Sequence, residues 1–244
     1  MTVLITGFHR SGTSAVARAF HRAGLFMGDT LLGSEPANPY GHFEDEAVIE
    51  LHDSLLNREG LTWKSTSPVH DRSPAQADIA EYVEGRRARS VDEWGVKDPR
   101  VCLFLTEWLA AAPRAEVVFV IRPPGSAVAS LHRRHIRRYI DTAGIDDSDL
   151  AFRRDPDLGL KLWCHYHEQA LPALQGHPHV TVVDYAAPDA NDAIQASIAR
   201  LGLDSDEFTP LDRTLGQSAT TWLHDPALGE RARSIWAELR TLAS

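Results

Sequence analysis

Cysteine is scarce in this chain: Cys102 and Cys164 are the only two among 244 residues. That excludes a disulfide scaffold and a four-cysteine zinc site. Both lie in apolar, helix-like stretches, so buried free thiols are expected. No apolar run approaches the ~20 residues that a membrane-crossing helix requires. The opening Met1-Thr2-Val3-Leu4-Ile5-Thr6-Gly7 lacks the basic start and long apolar stretch of a signal peptide. It reads as a strand, and a soluble cytoplasmic protein is the expectation. Positive charge is in the minority, with 25 Lys and Arg against 34 Asp and Glu, for a net charge of −9. Such an acidic chain is poorly suited to non-specific binding of nucleic acid or anionic membrane, though a local basic patch is compatible with it.

What is present is ordinary globular material: 43% hydrophobic and 24% charged residues, in a chain long enough to bury a sizeable core. There is no internal repeat and no long linker, so one domain over 1–244 is expected. Short β-branched runs alternate with longer helical stretches. Strands are expected at Val3 to Thr6, Trp94 to Val96, Glu116 to Ile121 and His179 to Val183. The nearly continuous apolar run at 116–121 suits a strand buried on both faces of a parallel sheet. Helices are expected over about 13–23, 46–58, 73–88, 101–112, 125–136, 157–174, 189–201 and 226–242, the third with Ser73 as cap and Pro74 at its first position. Residues 28–44 read as an ordered loop and 141–156 as a polar one. The fold class that follows is α/β, a mainly parallel central sheet flanked by helices. Ligands of such sheets sit at the carboxyl ends of the strands.

Two segments there carry chemistry. Gly7-Phe8-His9-Arg10-Ser11-Gly12-Thr13-Ser14 joins the first strand to the first helix. Its glycines allow a tight turn, its helix start aims N–H groups at one point, and Arg10, Ser11, Thr13 and Ser14 add a charged fork and hydroxyls. This is a phosphate-type cradle. It resembles the P-loop, but Thr13 stands where the P-loop lysine would reach the outer phosphates of a nucleoside triphosphate. The second segment is Ile121-Arg122-Pro123-Pro124-Gly125-Ser126-Ala127-Val128-Ala129-Ser130, with Arg122 at a strand's carboxyl end and Ser130 about two helical turns on.

Together these segments resemble the two cofactor signatures of the sulfotransferase superfamily, whose members use 3′-phosphoadenosine 5′-phosphosulfate (PAPS). Asn38-Pro39-Tyr40-Gly41-His42-Phe43-Glu44 and Lys97-Asp98-Pro99-Arg100 extend the likeness toward bacterial members, over roughly residues 3–205. The resemblance implies a P-loop NTPase-like sulfotransferase fold. It implies that His9, Arg10, Ser11, Gly12, Thr13 and Ser14 hold the 5′-phosphosulfate and that Arg122 and Ser130 hold the 3′-phosphate. It also implies sulfuryl transfer to a hydroxyl or amine, with adenosine 3′,5′-bisphosphate as product and no metal required. Arg10 and Lys97 match cations of the family. The histidine base that cytosolic-type members carry two residues after the lysine is Pro99 here. The base is therefore sought at Glu44 first, then His42 and Asp98.

Each has an ordinary alternative: a helix-capping acid for Glu44, an ion pair with Arg100 for Asp98. The run His132-Arg133-Arg134-His135 with Arg137 and Arg138 reads first as a solvated helix end, and alternatively as a rim for an anionic cofactor or acceptor. His165 and His167 are two apart on a helix and face different ways, so no metal site is expected. Gly216 to Thr221 reads as a late cofactor loop on composition alone. The loops at 28–44, 60–75 and 137–156 are expected to shape the pocket of a small-molecule or glycan acceptor, with Trp63, His70, Tyr139 and Phe152 lining it. Acceptor identity and oligomeric state are not legible. A P-loop kinase or NTPase, with Asp184 at the end of a strand as its acid, and a non-catalytic nucleotide-binding protein remain as alternatives.

Overall fold

A computed structural model of the chain describes residues 1–34, 38–89, 93–141, 150–204, 206, 208, 210–211 and 225–243. In chain order its elements are β1 (Thr2–Thr6), α1 (Thr13–Arg22), α2 (Glu46–Asn57), α3 (Ser73–Ala88), β2 (Trp94–Lys97), α4 (Val101–Ala111), β3 (Glu116–Ile121), α5 (Pro124–Asp141), α6 (Ala151–Arg154), α7 (Leu158–Gly176), β4 (Val180–Asp184), α8 (Ala190–Arg200) and α9 (Pro226–Leu242). The four strands form one all-parallel sheet in the order β2-β1-β3-β4, with Ile5 opposite Lys97 and Thr6 opposite Phe119. The α/β class and the parallel sheet are as the alternation of strands and helices implies.

Both faces of the sheet are covered, which explains why β1 and β3 are apolar at nearly every position. Val3, Ile5, Val118 and Val120 pack with α1 and α8 on one face. Leu4, Val117, Phe119 and Ile121 point the other way, into a larger core built with α3, α4, α7 and α9. The chain leaves β1 toward α1 on the first face and leaves β3 toward α5 on the second. The connections after β1 and β3 therefore diverge and open a crevice between them, the switch point where ligands of such sheets lie.

Several boundaries differ from expectation. α5 continues to Asp141, five residues past the expected Ile136, so its basic run is helical throughout. The short helix α6 lies inside the stretch expected to be loop. Ser73 is the first residue of α3 and not its cap; its N–H donates to the Asp71 carboxylate at 3.0 Å, so the aspartate two residues earlier satisfies the helix start. Both cysteines are buried free thiols, and burial pushes each up to about 12, as expected of inert core residues. Among the described residues no helix is long and apolar enough to cross a membrane.

Candidate functional site

The first link of the site is the turn after β1. Gly7 has φ +146°, and a Cβ there would lie 2.1 Å from the carbonyl oxygen of Val120 on β3. Gly12 has φ +100°, and its Cβ would lie 2.2 Å from the Tyr185 ring. The two glycines thus let the turn pass between its neighbours. Gly12 is also the residue ahead of α1, whose first N–H groups have no intrahelical partners. Gly12→Ala is expected to destabilise the protein by about 2–4 kcal/mol, from left-handed backbone plus overlap with Tyr185. Urea unfolding of the variant checks this, and a change within experimental error would refute the packing described.

Arg10 adopts φ +65°, uncommon for a residue with a side chain. That conformation turns its guanidinium across the crevice, where Nε donates to Ser130 Oγ on α5 at 3.1 Å. Arg122, at the end of β3, donates to the Arg10 carbonyl oxygen at 3.1 Å. The two segments singled out in the sequence, more than a hundred residues apart, therefore meet side chain to side chain. Ser11 is fully buried in the turn, and its Oγ has no hydrogen-bond partner among the described residues.

On the other side of the turn lies Lys97, the last residue of β2. Its ammonium donates to Ser14 Oγ at 3.1 Å and forms a close ion pair with Glu44. Glu44 reaches it because residues 30–32 and 42–46 run against each other: Leu32 N–H donates to Glu44 O at 2.7 Å and Glu46 N–H to Thr30 O at 2.9 Å. Buried Arg86 fastens this pair of segments to α3 by binding both Asp45 and Asp29. Asp45 stands at the N-cap position of α2 with no capping hydrogen bond, its carboxylate held by Arg86 and Tyr82, and Glu44 spends its carboxylate on Lys97 and not on the helix.

These groups line one cavity of about 450 Å³. His9, Arg10, Gly12, Thr13, Ser14, His42, Glu44, Lys97, Arg122 and Ser130 all face it. So do Asn38 and Tyr40 of the family-like segment at 38–44, and residues the sequence did not single out: Arg18 on α1, Tyr185 beyond β4, and Pro210 and Leu211. Tyr185 follows a strand end, a position the sheet rule selects, but an aromatic there has no chemical signature of its own. Arg133, Arg134, Arg137 and Arg138 line the cavity as well; Arg133, Arg137 and Arg138 are also exposed, so the run is both a solvated helix end and part of the cavity wall.

Asp98 stands apart. It is fully buried, accepts from Arg100 N–H at 2.7 Å and from its guanidinium, lies 3.4 Å from His52 Nδ1, and does not line the cavity. Trp63 and Phe152, expected at an acceptor pocket, instead stack on His135 behind His9. Neither they nor His70 and Tyr139 line the cavity, and Asp184 is likewise outside it, accepting from Ala186 N–H at 3.0 Å. The stretch 216–221 lies outside the described residues.

The electrostatics of the cavity run against those of the whole chain. Among the described residues eight Lys or Arg side chains face it against two carboxylates, Glu44 and Asp141, in a protein of net charge −9. Burial, and then repulsion from Arg134, Arg122 and Arg133, lowers Arg10 to about 10. It stays protonated at neutral pH, in surroundings that an anion would improve. Burial likewise lowers Arg122, and holds His9 well below the usual histidine range, so His9 is neutral at pH 7. The arrangement is a deep anion cradle with one ion-paired carboxylate beside it.

Two solved structures are similar to the whole chain at the level of fold. One is the sulfotransferase domain from the Synechococcus PCC 7002 olefin synthase, 16% identical, with a TM-score of 0.49 and coverage of 100% of this chain and 93% of that one. The other is the sulfotransferase STF9 from Mycobacterium avium, 13% identical, with a TM-score of 0.46 and coverage of 98% and 76%. No family model matches the chain, and no curated protein does. What the chain does is therefore carried by its own residues.

Proposed function

We propose that the cavity binds PAPS and that the chain transfers its sulfuryl group to a hydroxyl or amine of a small-molecule or glycan acceptor. The observation that supports this most is the junction of Arg10, Ser130 and Arg122. It joins the turn after β1 to Arg122 and α5, which supports one donor spanning both segments. The residues fit such a donor. Gly12, Thr13 and Ser14 line the cavity at a helix start and the cations around Arg10 raise its need for negative charge, whereas the fully buried Ser11 hydroxyl does not face the cavity. In this reading His9 to Ser14 hold the 5′-phosphosulfate, and Arg122 and Ser130 hold the 3′-phosphate. The donor brings an activated sulfur–oxygen bond.

The chain's own groups then divide the work. Glu44 accepts the proton of the incoming hydroxyl, being the carboxylate that faces the cavity beside the loop. His42, which also faces the cavity, is the next candidate. Asp98 is committed to Arg100 and His52, away from the reacting groups. As Glu44 turns to the acceptor, Lys97 is released toward the bridging oxygen, where it and Arg10 stabilise developing negative charge. These cations supply that charge without calling on a metal. A kinase reading places its acid at Asp184, which the geometry keeps outside the cavity.

Calorimetric titration with adenosine 3′,5′-bisphosphate, compared with ATP with and without magnesium, tests the proposal. Micromolar binding of the bisphosphate and weak binding of ATP are expected. Magnesium-dependent ATP binding with no preference for a 3′-phosphate would sink the PAPS reading.

A further inference from the structure

Tyr166 stands behind the turn that follows β1. It lies on α7 and is fully buried, and its hydroxyl meets two groups. Oη donates to the Trp63 carbonyl oxygen at 2.9 Å and lies 3.3 Å from His9 Nε2. These contacts admit one consistent placing of protons. A phenol has a single proton, and burial holds Tyr166 well above the usual tyrosine range, so it keeps that proton at neutral pH. The Trp63 carbonyl can only accept. Were the phenol proton turned toward His9, two oxygens would face each other at 2.9 Å with no proton between them, away from water. With the proton on the Trp63 side, the Tyr166 oxygen accepts from His9, and Nε2 is the nitrogen that carries the histidine proton.

His9 is neutral, because burial and the charges of Arg100, Lys97 and Arg134 outweigh the pull of Asp98. A proton on Nε2 therefore leaves Nδ1 bare. The ring is held in this orientation. It packs on Trp63 with ring centres 4.6 Å apart and makes edge contacts with Phe8 and Tyr166 at 5.7 and 5.4 Å. Trp63 is backed in turn by His135. His9 lines the cavity while Nε2 is turned back to Tyr166, so Nδ1 is the ring nitrogen left for a ligand.

We infer that Tyr166 is a positioning residue: it fixes His9 as a hydrogen-bond acceptor at Nδ1, so that the ring makes no bond to the anionic oxygens of the donor. The inference rests on the donor reading above and refines it. Sulfate and bridging-phosphate oxygens carry no proton at neutral pH, and a bare nitrogen against them sets lone pair against lone pair. The anion is then held by the helix start at Gly12 to Ser14 and by Arg10, while the place beside the His9 ring suits a group with a proton to give, such as the acceptor's hydroxyl or amine.

The test records long-range proton–nitrogen correlation spectra of protein labelled with nitrogen-15 at histidine, at pH 7.5. The His9 signals are assigned among the twelve histidines by their loss in His9→Gln. Free wild type should show Nε2 protonated and Nδ1 bare, and saturation with adenosine 3′,5′-bisphosphate should leave that pattern in place. Tyr166→Phe removes one oxygen and keeps the ring. It should move the His9 nitrogen signals toward each other as the second tautomer gains population, and change bisphosphate affinity less than about threefold. Three results would overturn the inference: a proton on Nδ1 in free wild type, a proton gained at Nδ1 on binding the bisphosphate (which would make the ring a direct ligand of the anion), or an unchanged His9 spectrum in folded Tyr166→Phe. Circular dichroism checks the fold of that variant. If it does not fold, the wild-type Nε2 proton decides: bonded to buried Tyr166 it should exchange slowly enough to be observed directly, and its absence would count against the contact. If the bisphosphate fails to bind wild type, the donor reading falls and takes the anion half of this inference with it, and the tautomer stands or falls on the spectrum of the free protein.

Discussion

Arg10→Ala should lose about 10³-fold in turnover with PAPS and a suitable acceptor, while its unfolding midpoint falls little. The first expectation follows from what Arg10 touches. It is a cation facing the cavity, bonded to Ser130 and bearing the Arg122 contact on its carbonyl. Removing one preorganised donor from a site of developing charge costs about 10²–10³ in rate, and a full positive charge belongs at the upper end. The second follows from its energetics in the protein alone. Arg10 is buried among Arg134, Arg122 and Arg133, and its lowered proton affinity, about 10, means that its charge is poorly accommodated there. Its replacement also removes a side chain that must hold left-handed backbone at φ +65°. The wild-type residue thus serves binding at the expense of stability. Arg10→Lys should recover part of the rate but not the fork to Ser130. Steady-state kinetics with calorimetry of the bisphosphate separates the contributions, and turnover near wild type in Arg10→Ala would remove the residue from the site.

The largest effect on stability is expected one shell further in, at Arg100. Its guanidinium binds fully buried Asp98 and the carboxylate of Asp53 on α2. Asp98 in turn holds the turn before α4, its backbone oxygen accepting from Thr6 Oγ1 at 2.9 Å. Burial alone would raise the Asp98 carboxyl; the Arg100 guanidinium and His52 outweigh it and hold the group well below the usual carboxylate range. Arg100→Ala strands that charge in the interior, at a cost of about 3–5 kcal/mol. The pH dependence gives the loss a signature. In wild type the folded-state proton affinity is depressed, so the stabilisation is complete above the ordinary aspartate value and is lost as the pH falls below about 4. In the variant burial is opposed by His52 and the residue-100 backbone N–H but no longer by the guanidinium, so the folded state takes up the proton more readily than wild type does, and the gap in stability between the two proteins narrows as the pH is lowered from 7. Denaturant midpoints of the two proteins should therefore converge as the pH is lowered, the Asp98 contribution being flat in wild type above about 4. Parallel slopes would show that Arg100 does not govern Asp98.

How far the sequence spoke for the molecule depends on how local the information was. β3 was placed residue for residue, because six apolar-rich positions between turn signals leave little choice. The turn from Gly7 to Ser14 was legible because its glycines and hydroxyls are contiguous. The placing of Arg133, Arg134, Arg137 and Arg138 along the cavity was legible only as the second of two readings of that run. It depends on where α5 stops and how it crosses the sheet edge, and the polar residues after Ile136 gave no stop signal of their own. Trp63 and Phe152 show a related ambiguity: an aromatic suits a pocket wall and a packed cluster equally, and here both stack on His135, outside the cavity. The Lys97–Glu44 pair was half visible. Both residues stood out, but their meeting is decided by the opposed segments 30–32 and 42–46 and by Arg86 on α3.

The strand order has a consequence for how the protein comes to exist. Val3 pairs with Gly95 on one side and Glu116 on the other, so the central strand finds both neighbours only across long stretches of chain. Such contacts raise contact order and slow folding, since loop closure must precede any reward. The cradle depends on them completely: Arg10 has no Ser130 to meet, and Lys97 no Ser14, until all of β2, β1 and β3 are aligned. A nascent or partly folded chain therefore lacks the proposed donor site. Binding acts on the fully native state alone and shifts the global equilibrium by RT ln(1 + [L]/Kd), about 2.7 kcal/mol at a hundredfold excess over Kd. Cellular ligand supply would thereby set how long each molecule of this protein persists.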